Sequence, residues 1–93
     1  MAYNLIVSYD LMNDGFDYTG VERAVRSLGP ATRVLYSTWV VRSNFDCINA
    51  EEIVFRALDP GDRLIVTECT RAAWRRLKDN ADQEARGIWN SAL

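Results

Sequence analysis

The residues with the clearest chemical potential are Asp10 and, in the loop that follows it, Asp14 and Asp17. A carboxylate in the place of Asp10 can bind Mg²⁺, accept a proton from a substrate, or cap the following loop, and residue type alone does not choose among these. The chain contains no histidine. Ser–His, Cys–His and His–metal mechanisms are therefore removed together, leaving carboxylates, hydroxyls, thiols, Arg, Lys or a metal for any catalysis. Cys47 and Cys69 form no C-x-x-C pair. Neither a zinc site nor a redox motif is expected, and both read as buried thiols.

Ten of the eleven basic residues are arginine, the side chain suited to bidentate contacts with phosphate or carboxylate. Arg71, Arg75 and Lys78 stand at i, i+4 and i+7, so a helix over them would carry a basic stripe. Such a stripe is either a solvated face or a phosphate-binding surface. The formal net charge of −2 argues against strong sequence-independent binding to phosphate backbones. The charges are segregated, however, with Asp10, Asp14, Asp17 and Glu22 early and Arg71, Arg75, Arg76 and Lys78 late.

These residues need elements to hold them. Leu5 to Leu11 is short, rich in β-branched and aromatic residues and closed by the turn-forming Met12-Asn13-Asp14-Gly15, which predicts a strand. On its pleat Tyr3, Leu5, Val7 and Tyr9 share one face, and Asn4, Ile6, Ser8 and Asp10 the other. Tyr18 ends the loop. Thr19-Gly20-Val21-Glu22 then has the form of a capping box with Thr19 as N-cap, and Val21, Ala24, Val25 and Leu28 form a helical apolar stripe, stopped by Gly29-Pro30.

Residues 32 to 42 are strand-like throughout, without a Gly, Pro, Asn or Asp to mark a hairpin. Two strands bent near Tyr36-Ser37-Thr38 are expected, since one strand of that length is long for a domain this small. Ser37 and Thr38 at the bend could bond the backbone or meet a ligand. Asn49 is placed to cap a second helix with Ala50, Ile53, Val54, Ala57 and Leu58 inward. Asp59-Pro60-Gly61-Asp62 suits a type II turn, and Arg63 to Cys69 is β-rich. Thr70 could cap a third helix, with Ala73, Trp74, Leu77 and Ala81 inward, and Ala85, Ile88 and Trp89 suggest more helix, frayed or docked on a partner.

At 93 residues, 48% hydrophobic and 26% charged, the chain is one globular domain of a size that benefits from association. No stretch is apolar enough to span a bilayer and no targeting signal is visible, so a soluble, cytoplasmic protein is expected. The order β, α, β, β, α, β predicts an α+β, ferredoxin-like βαββαβ sandwich with a four-stranded antiparallel sheet and a helical C-terminal tail from about residue 79. Both helices would lie on one face, leaving the other polar or buried by a second copy, hence a homodimer.

From Tyr3 to Leu77 the chain resembles the SinR-like family of small proteins, which belongs with the CRISPR-associated Cas-two group of ferredoxin-like domains. The matching residues are Leu5 to Leu11, Gly15-Phe16-Asp17-Tyr18, Leu28-Gly29, Ser37 to Val41, Leu58-Asp59 with Asp62 to Val66, and Ala72-Ala73-Trp74. The resemblance implies a homodimer with its sheets facing each other and Asp10 of each copy near the axis. Asp10 would be the Mg²⁺ ligand in a nuclease, and in a DNA adaptor no catalysis is needed. Ser37, Thr38, Arg71, Arg75 and Lys78 are then candidates for nucleic acid or nucleotide binding, with Asp14, Asp17 and Tyr18 in the loop. The alternative is a non-enzymatic phage or mobile-element module that binds a host protein or sequesters a nucleotide signal, using Phe16, Tyr18, Trp39 and Trp89 as surface aromatics.

Overall fold

The computed structural model of the chain describes residues 2–12 and 18–93. It is an α+β arrangement of one four-stranded antiparallel sheet and three α-helices, compatible with a ferredoxin-like fold. The strands are β1 (Tyr3–Asp10), β2 (Ala31–Leu35), β3 (Thr38–Ser43) and β4 (Arg63–Glu68), in the spatial order β2-β3-β1-β4. The α-helices are α1 (Thr19–Ser27), α2 (Cys47–Phe55) and α3 (Asp82–Trp89).

Alternation in β1 works as its residue types require. Leu5, Val7 and Tyr9 are buried with Trp39 and Val41 of β3 against Val21, Val25 and Leu28 from the α1 segment and Ala50 and Val54 of α2. This is the inner face. Trp39, only 1% exposed, donates from Nε1 to the Tyr9 hydroxyl at 2.9 Å, so it is a core residue and not a surface aromatic. Residues 32 to 42 do form two strands, joined through Tyr36-Ser37, with a register shift in β2 between Arg33 and Leu35. Neither Tyr36 nor Ser37 has positive φ, so the turn needs none of the residues whose absence obscured it in the sequence.

The helix starts differ from expectation. Tyr18, not Thr19, is the N-cap of α1, and its carbonyl accepts from the amides of Val21 (3.0 Å) and Glu22 (3.1 Å). Glu22 turns instead to Arg33, 3.3 Å away. Asp46, not Asn49, caps α2, its carboxylate accepting from the Asn49 amide at 2.9 Å. Ala57 and Leu58 lie beyond the helix in a turn, still packed on the core. Gly29, at φ +148°, ends the α1 segment close against β3, where an added Cβ would stand 2.1 Å from the Arg42 carbonyl oxygen. Gly61, at φ +92°, and the bond from Asp62 N to Asp59 O (3.1 Å) make the turn before β4.

The end of the chain departs furthest from the sequence pattern. Residues 70 to 77 form no helix; they run as an irregular strap into a single 3₁₀ turn, Lys78–Asn80, and then α3. Arg76, Asp79 and Asn80 all have positive φ, which breaks a right-handed helix at each. The strap carries the chain from β4, at one edge, to β2, at the other. There Leu77, Ala81, Ala85 and Ile88 pack with Val34 and Val40, flanked by Ile6, Trp74 and Trp89. The outer face of the β2–β3 half is thus covered by the chain's own tail and not by a second copy. Arg42 latches that tail, donating from Nε to the Ser91 carbonyl at 3.0 Å.

Candidate functional site

With α1 and α2 inside, α3 over β2–β3 and Ile6 packed against the tail, the part of the sheet that the described residues leave open is the outer face of β4 and of β1 from Ser8 to Asp10. The β1–β4 register sets Asp10 opposite Arg63 and Ser8 opposite Ile65. Since opposed residues of an antiparallel pair share a face, all four side chains project outward. They line a shallow cleft of about 190 Å³ together with Tyr9, Leu64 and the backbone. Beneath it Tyr9 and Trp39 are locked by their hydrogen bond, so the floor is rigid core.

Asp10 is exposed at the rim, and among the described residues its carboxylate accepts no hydrogen bond and joins no ion pair. The loop-capping role open to it in the sequence is filled by Asp62. One Asp62 oxygen accepts from the Met12 amide at 2.8 Å and the other from the Asp59 amide at 2.8 Å, tying the exit of β1 to the turn before β4. Arg63 likewise has no ion-pair partner among the described residues. A carboxylate and a guanidinium therefore face one another across two strands with their hydrogen-bonding capacity unspent. Beside them the Ser8 and Thr38 hydroxyls bond each other at 3.0 Å.

The other sequence candidates are dispersed. Ser37 contributes its carbonyl, which accepts from the Tyr9 amide at 3.0 Å. Arg71 and Arg75 are exposed on the strap, and Lys78 is engaged by Asp79 at 2.6 Å and lies 5.7 Å from the Tyr36 ring centroid. The stripe expected at i, i+4 and i+7 does not exist because the helix does not. Tyr18 is half-buried on the core. Asp14, Asp17 and the Gly15-Phe16 motif lie outside the described residues. Trp89 meets Trp74 edge to face at 6.1 Å.

Both cysteines are half-buried, and the Cys47 thiol is pushed above its ordinary pKa by partial burial and then by the Glu68 carboxylate. Glu68 also accepts from the Cys47 amide at 2.9 Å. That arrangement suppresses the thiolate and suits a structural thiol.

Sequence reasoning missed Arg63 and Asp62. Arg63 read only as a strand's first residue, because its opposition to Asp10 exists only once β4 pairs with β1. Asp62 read as one turn residue among four, and its reach to Met12 spans fifty positions.

Among the described residues no cluster of three or more His, Cys, Asp or Glu side chains could cage a metal. Asp10 alone still fits Mg²⁺, which commonly takes one or two carboxylates and completes its octahedron with water and ligand phosphates. No helix among the described residues is long and apolar enough to cross a membrane. Compared with known proteins, the chain matches no family model, no curated protein and no solved structure.

Proposed function

We propose that the protein binds nucleic acid through the open β1–β4 half of its outer face, with a phosphate group seated between Arg63 and Asp10. The carrying observation is the opposition of these two unspent side chains across the cleft. Arg63 supplies the planar donor fork that matches phosphate oxygens. Asp10 repels a bare phosphate, so it would either hold a Mg²⁺, which would supply the positive charge that a phosphate needs there, or, without the metal, accept a proton from the attacking water where cleavage follows. Ser8 and Thr38 offer hydroxyls to a neighbouring sugar or phosphate. A ferredoxin-like fold of the SinR-like and Cas-two kind, a homodimer and a cytoplasmic setting belong to this reading.

The test is binding and cleavage of labelled RNA, single-stranded DNA and duplex DNA across a Mg²⁺ titration. Affinity falls with added salt and with Arg63→Ala, and any cleavage disappears in Asp10→Asn while the fold is retained. Salt-independent binding, or cleavage that survives Asp10→Asn, would overturn the assignment.

A second reading, a module that docks on a host protein, is favoured by one feature: α2 turns Ile48, 72% exposed, and Phe55 outward on one stripe, with Phe45 exposed nearby. Large apolar side chains at the outermost line of a surface helix are a docking signature. Ile48→Ser with Phe55→Ser abolishes complex formation with a purified partner under this reading and leaves nucleic-acid binding unchanged.

A further inference from the structure

The two edges of the sheet are finished differently. On β2, Ala31, Thr32 and Val34 are buried, Arg33 is tied to Glu22, the register shifts, and the 3₁₀ turn packs alongside. These are the devices by which proteins blunt an edge strand. On β4 there is no bulge, no proline, and no charge between Arg63 and Glu68. Ile65, in the middle of this strand, is 63% exposed.

The ladder shows which β4 backbone groups are free. The bond from Cys69 N to Asn4 O (2.9 Å) marks that opposed pair as hydrogen-bonded. Alternation then makes Thr67, Ile65 and Arg63 the residues bonded to β1, and turns the amides and carbonyls of Leu64 and Val66 outward from the sheet. Neither residue has a backbone bond elsewhere among the described residues. Two donors and two acceptors are therefore presented in line on an edge with which no other described segment pairs.

We propose that this edge pairs antiparallel with β4 of a second copy, joining two four-stranded sheets into one of eight strands. The strand is self-complementary, which makes a second copy its occupant. A two-fold axis through Ile65 sets Leu64 opposite Val66 of the other copy and Val66 opposite Leu64, both as hydrogen-bonded pairs. The two Ile65 side chains meet in the close, non-hydrogen-bonded position, and Arg63 faces Thr67. Apolar residues meet apolar residues and no like charges oppose each other within the strand. The two symmetry-related acidic approaches, each of Asp62 towards Glu68 of the other copy, join carboxylates that already accept backbone amides in their own chains.

This pairing specifies the contact of the homodimer included in the functional reading above, and it differs from sheets stacked face to face. Asp10 lies about 7 Å along the strand and about 7 Å across the sheet from the axis, so the two Asp10 residues stand about 20 Å apart. The dimer therefore presents two separate clefts on one continuous outer surface, and no metal is shared between the Asp10 carboxylates.

The test uses the full chain with Cys47→Ser and Cys69→Ser, adding Ile65→Cys or Asp10→Cys, under mild oxidation without nucleic acid. Close pairing brings the Ile65 Cα atoms to about 4.5 Å, within disulfide range. Edge pairing therefore gives a covalent dimer through position 65 and none through position 10. In the otherwise unchanged chain, light scattering reads a dimer that Ile65→Lys converts to monomer with its circular dichroism unaltered. Cross-linking at position 10 instead of 65, a monomeric parent chain, or a dimer that survives Ile65→Lys would overturn the proposal. Failure of the unsubstituted chain to bind nucleic acid while position 65 cross-links in its variant would refute the functional reading and leave the edge pairing standing.

Discussion

Truncating Ile88 to alanine reads directly whether the tail is part of the fold. Ile88 sits on α3, 9% exposed, against the sheet residues Val34 and Val40. The substitution removes about three methylene equivalents at ~0.8 kcal/mol each, reduced slightly because a surface helix can settle into the space, giving a loss of about 2 kcal/mol. For a domain of this length that is a fall in melting temperature of about 10 °C. Phe55→Ala is the control. It deletes a larger side chain that is 60% exposed, and the cost stays within about 0.5 kcal/mol. Thermal unfolding followed by far-ultraviolet circular dichroism compares the two. An Ile88→Ala protein that melts within two degrees or so of the parent would refute the placement of α3 on the β2–β3 face, and a Phe55→Ala protein that loses as much would refute the exposure of Phe55 on α2.

Gly29→Ala places a Cβ against the Arg42 carbonyl in a backbone region that side-chain-bearing residues avoid, and costs about 3 kcal/mol or more. A melting temperature within a few degrees of the parent would contradict it. Tyr9→Phe leaves the buried Trp39 Nε1 without its acceptor and lowers stability by about 1–3 kcal/mol, read as a lower urea midpoint at unchanged slope. For Cys47, the raised pKa keeps the thiol protonated at neutral pH, so alkylation is slow. Glu68→Gln removes one of the causes, lowers that pKa and speeds alkylation of Cys47 at fixed pH; an unchanged rate by mass spectrometry would contradict the assignment.

The parts of the fold that were legible in the sequence are those set by local pattern. The alternation from Tyr3 to Asp10, the apolar stripe at Val21, Val25 and Leu28 and the Ala85-Ile88 periodicity each reflect one face buried against one neighbour, and the Asp59 to Asp62 turn reflects the positive φ that Gly61 supplies. Helix caps were misplaced by one to three positions, since Tyr18 caps through its carbonyl, which any residue has, and Asp46 caps from further upstream than the Asn49 pattern suggested. The strap was illegible for another reason. Leu77 and Trp74 are spaced as a helix would space them, but their partners lie across the sheet, and an extended strap with positive φ at Arg76 meets the same contacts. At the site, Asp10 was visible from its place at a strand end. Arg63 was not, because its position opposite Asp10 depends on the register between β1 and β4.

The claim at the centre is that ligand phosphates meet the chain between Asp10 and Arg63 on the open half of the outer face. Amide chemical-shift mapping of the ¹⁵N-labelled protein, titrated with a short single-stranded oligonucleotide in Mg²⁺, tests it most directly. The perturbed amides should cluster at Ser8 to Asp10, Thr38 and Arg63 to Ile65, and the shifts should vanish in Arg63→Ala. Perturbations centred on α2 or on the β2 edge, or none at saturating oligonucleotide, would contradict it.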